Sequence, residues 1–200
     1  MDNKIRQRAR ALLVFTLCVG FVVSVHAGEP LDLVRTAADK AMQILKDPNL
    51  QSQDKKKERF DRLREAVNPL FDYEEMAKRA LGPHWRRRTP TEQQEFVQLF
   101  RDFLERNYSD KIDLYAGEKV LFGREAMDNG FAQVESSLVN SKGEEVAVVY
   151  KLRRIDGKWK VYDAVVENIS IINNYRSQFD RVISSSSYEE LLKRLRDKAG

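Results

Sequence analysis

The sequence predicts an α+β domain, with a helical N-terminal half packed on a twisted antiparallel sheet of about four strands and helices at the C-terminus. Two observations predict this fold class. Up to about Tyr115, apolar residues recur at the three- and four-residue spacing of amphipathic helices. After Gly117 the spacing changes to two, which is typical of strands with one buried face. Helices that precede a run of strands indicate an α+β domain rather than alternating βαβ units.

The first 27 residues have the three-part pattern of a secretory signal peptide. Basic residues from Lys4 to Arg10 precede an uncharged, mostly apolar run from Ala11 to Val25, and Ala27 ends a sequence that a signal peptidase can cleave. The run has 15 residues, fewer than the about 20 that a membrane-spanning helix needs. We therefore expect an exported protein that is cleaved near Ala27, with residues 28–200 as one domain. The alternative is an uncleaved leader that anchors the protein in a membrane.

Removal of this leader leaves a chain of almost balanced charge. The full sequence has 35 basic and 31 acidic residues, of which the leader holds four and one, so the formal net charge falls from +4 to +1. A nucleic-acid-binding domain is expected to carry a basic, segregated surface, so the charge gives no support to a nucleic-acid partner. The single cysteine, Cys18, lies in the leader, so the mature chain has no thiol for a disulfide or for metal binding.

Prolines end the first two predicted helices. The first helix contains Leu33 to Leu45 and stops before Pro48, and the second covers Asp54 to Val67 and stops before Pro69. Asp72 is placed to cap a short third helix, which Gly82 ends.

The strongest helix-start signal is Thr89-Pro90-Thr91-Glu92. Thr89 offers a capping oxygen, Pro90 suits the first helical position, and Glu92 is placed to complete a capping box. The helix that follows runs to about Tyr115 and carries one wide, mostly aromatic stripe. The stripe consists of Phe96, Leu99, Phe100, Phe103, Leu104, Tyr108 and Ile112. We expect this helix to cover the apolar face of the sheet, where its bulky side chains either fill the core or line a cavity; the spacing alone leaves both open.

The second half of the chain predicts a meander of strands. The predicted strands are Val120–Phe122, Phe131–Val139, Val146–Leu152 and Trp159–Val165. Asp156-Gly157 is a strong hairpin signal between the last two. Residues 168–183 are predicted to be helical, although Ile169 to Ile172 could prolong the strand. Ser186 or Ser187 can cap a last amphipathic helix, Tyr188–Lys198.

Few residues suggest chemistry. His84 is the only histidine after the leader, and its surroundings have no metal-ligand spacing. Asp163 and Glu167 are the best candidates for an acid–base pair, because residues i and i+4 of a strand face the same side. The alternative is that they form ion pairs with Arg153, Arg154 or Arg176. We therefore expect no enzyme activity, no metal and no cofactor.

The basic run Arg86-Arg87-Arg88 lies between the short and the long helix. It could contact lipid phosphates or an acidic partner, or it could be a solvated loop. The sequence does not distinguish these interpretations.

Three blocks of the mature chain resemble the MlaC family, also called the toluene-tolerance auxiliary family. The blocks are Phe71-Asp72-Tyr73 with Met76-Ala77, Leu81-Gly82 and Trp85; Thr89-Pro90 with Phe96, Phe100, Leu104 and Tyr108; and Trp159 to Asp163 with Glu167 to Ser170 and Asn174 to Phe179. Their order and spacing, together with the leader, make the resemblance specific. Many members have Gly where this chain has Asn168, a residue that tolerates unusual backbone angles.

The resemblance implies a periplasmic phospholipid carrier that maintains the lipid asymmetry of the outer membrane. It implies helices packed around a twisted sheet, with acyl chains in an apolar cavity between them and the head group exposed. It also implies two protein partners, an inner-membrane ABC transporter complex and an outer-membrane lipoprotein–porin complex. The phospholipid would be cargo rather than a cofactor.

The faces of the predicted elements supply candidate residues for the cavity lining. From the helices these are Met76, Leu81, Trp85, Phe96, Phe100, Phe103 and Leu104; from the sheet they are Val134, Leu138, Val148, Tyr150, Val161 and Val165; and Ile169 and Ile172 close one end. Two other interpretations remain open at this point. One is a small-molecule enzyme on a cone-shaped sheet that uses Asp163 and Glu167, and the other is a protein-docking module with a filled core.

Overall fold

The computed structural model describes residues 29–109 and 119–199, so the predicted leader and the predicted helix end near Tyr115 lie outside the described residues. The described helices are α1 (Glu29–Lys46), α2 (Lys56–Val67), α3 (Tyr73–Leu81), α4 (Pro90–Ser109), α5 (Ile171–Ser185) and α6 (Tyr188–Ala199). The strands are β1 (Lys119–Asp128), β2 (Phe131–Val139), β3 (Glu145–Ile155), β4 (Lys158–Val166) and β5 (Ile169–Ser170). The predicted α+β fold is confirmed, with a two-residue fifth strand added to the four long ones.

The predicted helix caps are present. Asp72 Oδ1 accepts a hydrogen bond from the Glu75 amide at 3.1 Å and so begins α3. Thr89 and Glu92 form the capping box of α4, in which Glu92 Oε2 accepts from the Thr89 amide at 2.7 Å and Thr89 Oγ1 accepts from the Glu92 amide at 3.3 Å. Ser187 is the residue that caps α6, since its hydroxyl accepts from the Glu190 amide at 3.1 Å.

The strands form one antiparallel meander in the order β1-β2-β3-β4-β5. Three of its hairpins have two-residue turns in which both residues have positive φ angles, the geometry of a type I′ turn. The turns are Asn129-Gly130 (44° and 80°), Asp156-Gly157 (47° and 79°) and Glu167-Asn168 (48° and 65°). The predicted Asp156-Gly157 hairpin is therefore confirmed. Asn168 adopts the left-handed conformation that a glycine would supply.

Bulges change the strands that the sequence predicts. β1 extends beyond the predicted strand Val120–Phe122. An irregularity at Gly123-Arg124 interrupts its alternation, so the period-two pattern does not continue past Phe122 although the pairing with β2 does. In β4, Lys151 pairs with Asp163 and Leu152 with Val161, so Tyr162 is an extra residue. Alternation along β4 therefore changes side at Tyr162.

The phenylalanines of the α4 stripe, Phe96, Phe100 and Phe103, pack on helices rather than on the sheet, which corrects the predicted arrangement; Ile112 and the Tyr108 side chain lie outside the described residues. Phe96 and Phe100 have no exposed surface and contact Phe179 of α5, with ring centroids 5.9 and 5.4 Å apart. Leu191 and Leu195 of α6 close the same cluster. The physical reason is that α5 and α6 have apolar faces of their own, and the phenyl rings are buried against these faces instead of against the sheet.

The apolar face of the sheet is covered instead by α1 and α2. Val34 and Ala37 of α1 pack directly on Val134, Leu152 and Val161 and form a second, smaller core. α2 packs against α1 and lies opposite the other half of the same sheet face. One half of the face is thus filled by side chains, and the other half faces α2 across a gap.

The Glu167-Asn168 turn allows a direct test of backbone strain. Asn168→Ala is expected to lower the free energy of unfolding by about 1 kcal/mol, because Ala keeps the Cβ strain of the left-handed region and lacks the short polar side chain with which Asn offsets it. Asn168→Gly, which removes the Cβ, is expected to be as stable as the native chain to within a few tenths of a kcal/mol. Urea unfolding of the three proteins measures the difference. Equal losses for Ala and Gly would show that the Asn168 side chain, rather than its φ angle, stabilises the turn.

Candidate functional site

An apolar cavity of about 350 Å³ lies between α2 and the uncovered half of the sheet. Its apolar wall consists of Phe60, Leu63, Val67, Phe71, Met76, Leu104, Leu138, Val148, Tyr150, Ala164, Val166, Ile171 and Ile172. Its polar lining residues are Arg64, Asn68, Tyr73 and Glu105. A concave, largely apolar space with a few polar groups is the usual form of a ligand site.

Six of the predicted lining residues line this cavity. They are Met76, Leu104, Leu138, Val148, Tyr150 and Ile172. Leu138, Val148 and Tyr150 are brought together by the pairing of β2 with β3, in which Leu138 faces Val146 and Val134 faces Tyr150. Contact between these residues and a ligand remains a prediction.

The structure places the other nine predicted residues outside the cavity lining. Leu81, Phe96, Phe100 and Phe103 are buried in the helical cluster, and Trp85 packs against that cluster. Val134 and Val161 pack against α1. The Tyr162 bulge turns Val165 away, since Ala164 and Val166 pair with Tyr150 and Val148 and take the cavity side. Ile169 is 61% exposed at the edge of the sheet.

The lining residues from α2 were not predicted from the sequence. Phe60, Leu63 and Val67 lie on one face of this otherwise highly charged helix, at the i, i+3, i+7 spacing of a buried stripe. The sequence predicts the helix, but the spacing alone does not show that this stripe faces the sheet. Arg64, which follows Leu63 on this helix, also lines the cavity and adds a positive charge to it. A pattern of apolar residues does not predict this charge.

The polar lining residues and Arg101, which does not line the cavity, form one connected group, which we call the Glu105 cluster: Arg64, Asn68, Tyr73, Arg101 and Glu105. Asn68 Nδ2 donates to Glu105 Oε1 at 2.9 Å, and the Tyr73 hydroxyl donates to Asn68 Oδ1 at 2.9 Å. Arg101 Nε and an Arg64 terminal nitrogen lie 3.4 and 3.8 Å from Glu105 oxygens. The arginine side chains are 37% and 43% exposed, so this end of the cavity reaches water.

Two tyrosines of the cavity keep their protons to high pH. Burial raises the pKa of Tyr73, and the negative charge of Glu105 raises it further. Burial also raises the pKa of Tyr150, an effect that a hydrogen bond with Ser136 partly offsets. Both phenols are therefore neutral at physiological pH, and the cavity wall itself carries no tyrosinate charge.

The acid–base candidates have structural roles in the described chain. Asp163 accepts hydrogen bonds from the Ser170 hydroxyl at 2.8 Å and the Ile172 amide at 3.2 Å, and so holds the start of α5. Its ion-pair partner is Lys151 at 3.6 Å rather than one of the arginines that the sequence suggested. Glu167 accepts from the Ala147 amide at 2.7 Å. Neither carboxylate lines the cavity.

Of the remaining candidates, His84 and Arg88 contact other residues of the protein. His84 Nε2 lies 2.8 Å from Asp180 Oδ1. In residues 29–109 and 119–199 no three His, Cys, Asp or Glu side chains are grouped as metal ligands would be. Of the basic run, Arg88 lies over the Tyr188 ring at 4.4 Å and pairs with Glu92 at 3.5 Å, whereas Arg86 and Arg87 are exposed.

A sequence model of the MlaC protein family matches residues 35–197, which is most of the chain. The chain belongs to the MlaC family. The resemblance inferred from the three sequence blocks is therefore confirmed.

Named relatives extend over nearly the whole chain. It is 23% identical over 199 residues to the intermembrane phospholipid transport system binding protein MlaC of Haemophilus influenzae, covering 94% of this chain and 91% of that protein. It is 27% identical over 172 residues to the toluene tolerance protein ttg2D of Pseudomonas putida, covering 85% and 80% respectively. Among solved structures, a phospholipid-binding protein from Ralstonia solanacearum, determined in complex with a phospholipid, superposes with a TM-score of 0.73. It is 26% identical, and the match covers 86% of this chain and 97% of that one.

The MlaC-family fold of this chain is built from amphipathic elements. Across the described residues, no helix is both long enough and apolar enough to cross a membrane. The family is one of lipid-binding transport proteins rather than of enzymes, which agrees with the structural roles of Asp163 and Glu167.

The raised pKa of Tyr150 predicts a pH dependence of stability. A phenol whose pKa is higher in the folded protein than in the unfolded chain contributes stability that is complete below pH 10.0, its ordinary pKa, and is lost as the pH rises from there through the raised value. Tyr150→Phe removes this contribution, so the free energy of unfolding should fall less steeply above pH 10.0 than in the native chain, with equal slopes below it. Urea unfolding across this range, with tyrosinate absorbance recorded in parallel, measures the effect. Identical alkaline slopes for the two proteins would contradict it.

Proposed function

We propose that this protein binds a phospholipid, with its acyl tails in the cavity, and carries it through the periplasm between the outer and inner membranes. The observation that supports the proposal is the apolar cavity between α2 and the sheet, in a chain of the MlaC family. The solved relative from Ralstonia solanacearum was found with a phospholipid, which makes the same class of ligand the first candidate here. A docking module with a filled core would have no such space.

The cost of exposing acyl chains explains why a carrier needs this cavity. Burial of one methylene is worth about 0.8 kcal/mol, so the roughly thirty methylenes of two acyl chains would cost on the order of 20 kcal/mol to leave in water. The wall is built from alkyl and aromatic side chains such as Phe60, Val148 and Ile172, which can replace that water. The polar head can remain hydrated at the end where the arginines of the Glu105 cluster are exposed.

The volume of the cavity limits how much lipid it accepts without rearrangement. A methylene group occupies about as much space as a water molecule, roughly 30 Å³. The 350 Å³ cavity then accepts about twelve methylenes, which is part of one acyl chain. We infer that α2 moves away from the sheet when a two-chain phospholipid is bound.

The cost of an empty void also favours a cavity that is filled. The cavity opens to water at one end, so about 8 kcal/mol, the cost of a sealed and empty void of 350 Å³, is an upper bound on the penalty without cargo. That is comparable to the roughly 5–15 kcal/mol of net stability of a whole domain. Apolar cargo therefore stabilises the fold as well as being shielded by it.

The physiological setting that we propose follows from the family. Residues 1–27 direct export and are removed near Ala27, and residues 28–200 form one lipid-binding domain in the periplasm. The protein then exchanges lipid with an inner-membrane ABC transporter complex and an outer-membrane lipoprotein–porin complex, and so maintains the lipid asymmetry of the outer membrane. The Haemophilus relative, a binding protein of an intermembrane phospholipid transport system, supports this assignment. Phospholipid is cargo in this scheme, and neither a cofactor nor catalysis is required.

A pair of adjacent substitutions tests whether lipid occupies the cavity. Val148 lines the cavity, whereas its neighbour Val149 lies on the opposite face of β3 and pairs with Val165. Val148→Trp is expected to fill the cavity and to lower the phospholipid-to-protein ratio several-fold, and Val149→Trp is expected to leave the ratio unchanged. The ratio is measured by native mass spectrometry on protein expressed with its leader and purified from the periplasm, followed by extraction to identify the lipid.

The control separates occlusion from misfolding, because both substitutions enlarge a valine of the same strand. Urea unfolding of both variants checks that each is folded. Native protein that carries no phospholipid, or equal retention by the native chain and Val148→Trp, would contradict the proposal.

A further inference from the structure

We propose that Arg64 and Arg101 bind the phosphate of the cargo lipid at the exposed end of the cavity, and that Glu105 holds these two guanidinium groups when no phosphate is bound. This inference rests on the proposed carrier function and adds the chemical class of the head group. The site would prefer lipids that carry a phosphodiester over neutral lipids with the same acyl chains.

The Glu105 cluster lies where the apolar cavity meets water. Arg64, Asn68 and Glu105 line the cavity and contact its apolar wall, while the guanidinium groups of Arg64 and Arg101 reach solvent. A lipid whose tails lie against Val148 and Ile172 has its glycerol backbone at a boundary between apolar and polar lining. The cluster supplies the charged groups at that boundary.

Glu105 makes only long contacts with the two arginines. Charge-assisted N–H to carboxylate contacts are usually about 2.7–2.9 Å long, but those from Arg101 and Arg64 to Glu105 are 3.4 and 3.8 Å. Arg101 Nε is buried and has no hydrogen-bond partner in the described structure. Closer pairs occur elsewhere in the described chain, such as Arg62 with Glu58 at 2.6 Å and Arg194 with Glu190 at 2.8 Å.

Neighbouring acids do not satisfy the two arginines. Arg64 lies 4.0 Å from Asp61, but Asp61 pairs with Lys57 at 2.8 Å. Arg101 lies 3.9 Å from Asp102, which accepts a hydrogen bond from Gln98 at 2.9 Å. Two guanidinium groups therefore share mainly one carboxylate, and that carboxylate already accepts from Asn68.

A phosphate oxygen can use the N–H groups that Glu105 leaves without a close partner. Guanidinium groups present planar pairs of N–H donors that match phosphate oxygens, and such contacts are stronger than hydrogen bonds between neutral groups. In this arrangement the phosphate competes with Glu105 for the arginines, and Glu105 keeps its hydrogen bond with Asn68. The Tyr73 hydroxyl, bonded to Asn68, holds that amide in place.

The test compares a phospholipid with a neutral lipid in the native protein and three variants. Each full-length protein is purified from the periplasm, incubated with vesicles that contain equal amounts of phosphatidylglycerol and diacylglycerol with identical acyl chains, and analysed by native mass spectrometry. The native protein is expected to retain more phosphatidylglycerol. In the double variant Arg64→Gln with Arg101→Gln, the preference for phosphatidylglycerol is expected to fall about tenfold, which corresponds to the loss of at least one charged hydrogen bond. This variant should still bind diacylglycerol.

Glu105→Gln provides a result of opposite sign. It removes the competing carboxylate, so the preference for phosphatidylglycerol should increase several-fold, whereas a residue needed only for structure would lower the binding of both lipids. Arg62→Gln is the matched control, because Arg62 is on the same helix as Arg64 but pairs with Glu58. It should behave as the native protein does.

The outcomes separate the head-group assignment from the carrier function. Equal binding of the two lipids by the native protein, or an unchanged preference in the double arginine variant, would overturn the assignment and leave the cavity function standing. Binding of neither lipid by the native protein would overturn both. Titration with inorganic phosphate alone should give no saturable signal; saturable binding that Arg64→Gln abolishes would identify a site for free phosphate and overturn the lipid assignment.

Discussion

The need to cover one apolar sheet face determines the rest of this structure. The face is completed in two ways: α1 packs directly on Val134, Leu152 and Val161, and α2 lies across a gap from the half that contains Val148. Close packing of both halves would give an ordinary core, since protein interiors are normally filled like crystals. The gap therefore results from the distance between α2 and the sheet, and not from the amino-acid composition of either surface.

Features that depend on neighbouring residues could be predicted from the sequence. Asp72, Thr89 with Glu92, and Ser187 begin their helices as predicted, because a cap needs only a side-chain oxygen and an amide two or three residues away. Asp156-Gly157 forms the predicted hairpin because a type I′ turn depends only on the backbone conformations of two adjacent residues. The fold class followed from the helical spacing of the first half of the chain together with the change of period after Gly117.

Features that depend on distant residues could not be predicted in this way. The Phe-rich stripe of α4 has the same spacing whether it packs on the sheet or on helices, and the apolar faces of α5 and α6 decide in favour of the helices. The bulge at Tyr162 exchanges Val165 for Ala164 and Val166 on the cavity side, because one extra residue reverses the alternation of a strand. The Glu105 cluster joins residues that are far apart along the chain, so no short motif marks it.

The polar cluster and the movement that we infer for α2 involve the same contacts. α2 and the residue that follows it are joined to α4 through Arg64 and Asn68, both of which contact Glu105. If α2 moves away from the sheet to admit acyl chains, these contacts are stretched, and the cost is smallest for the long Arg64 contact at 3.8 Å. A phosphate that takes over the arginines compensates for that loss at the moment when the tails enter. Head-group binding and widening of the cavity would then be thermodynamically coupled through Glu105, because each makes the other less costly.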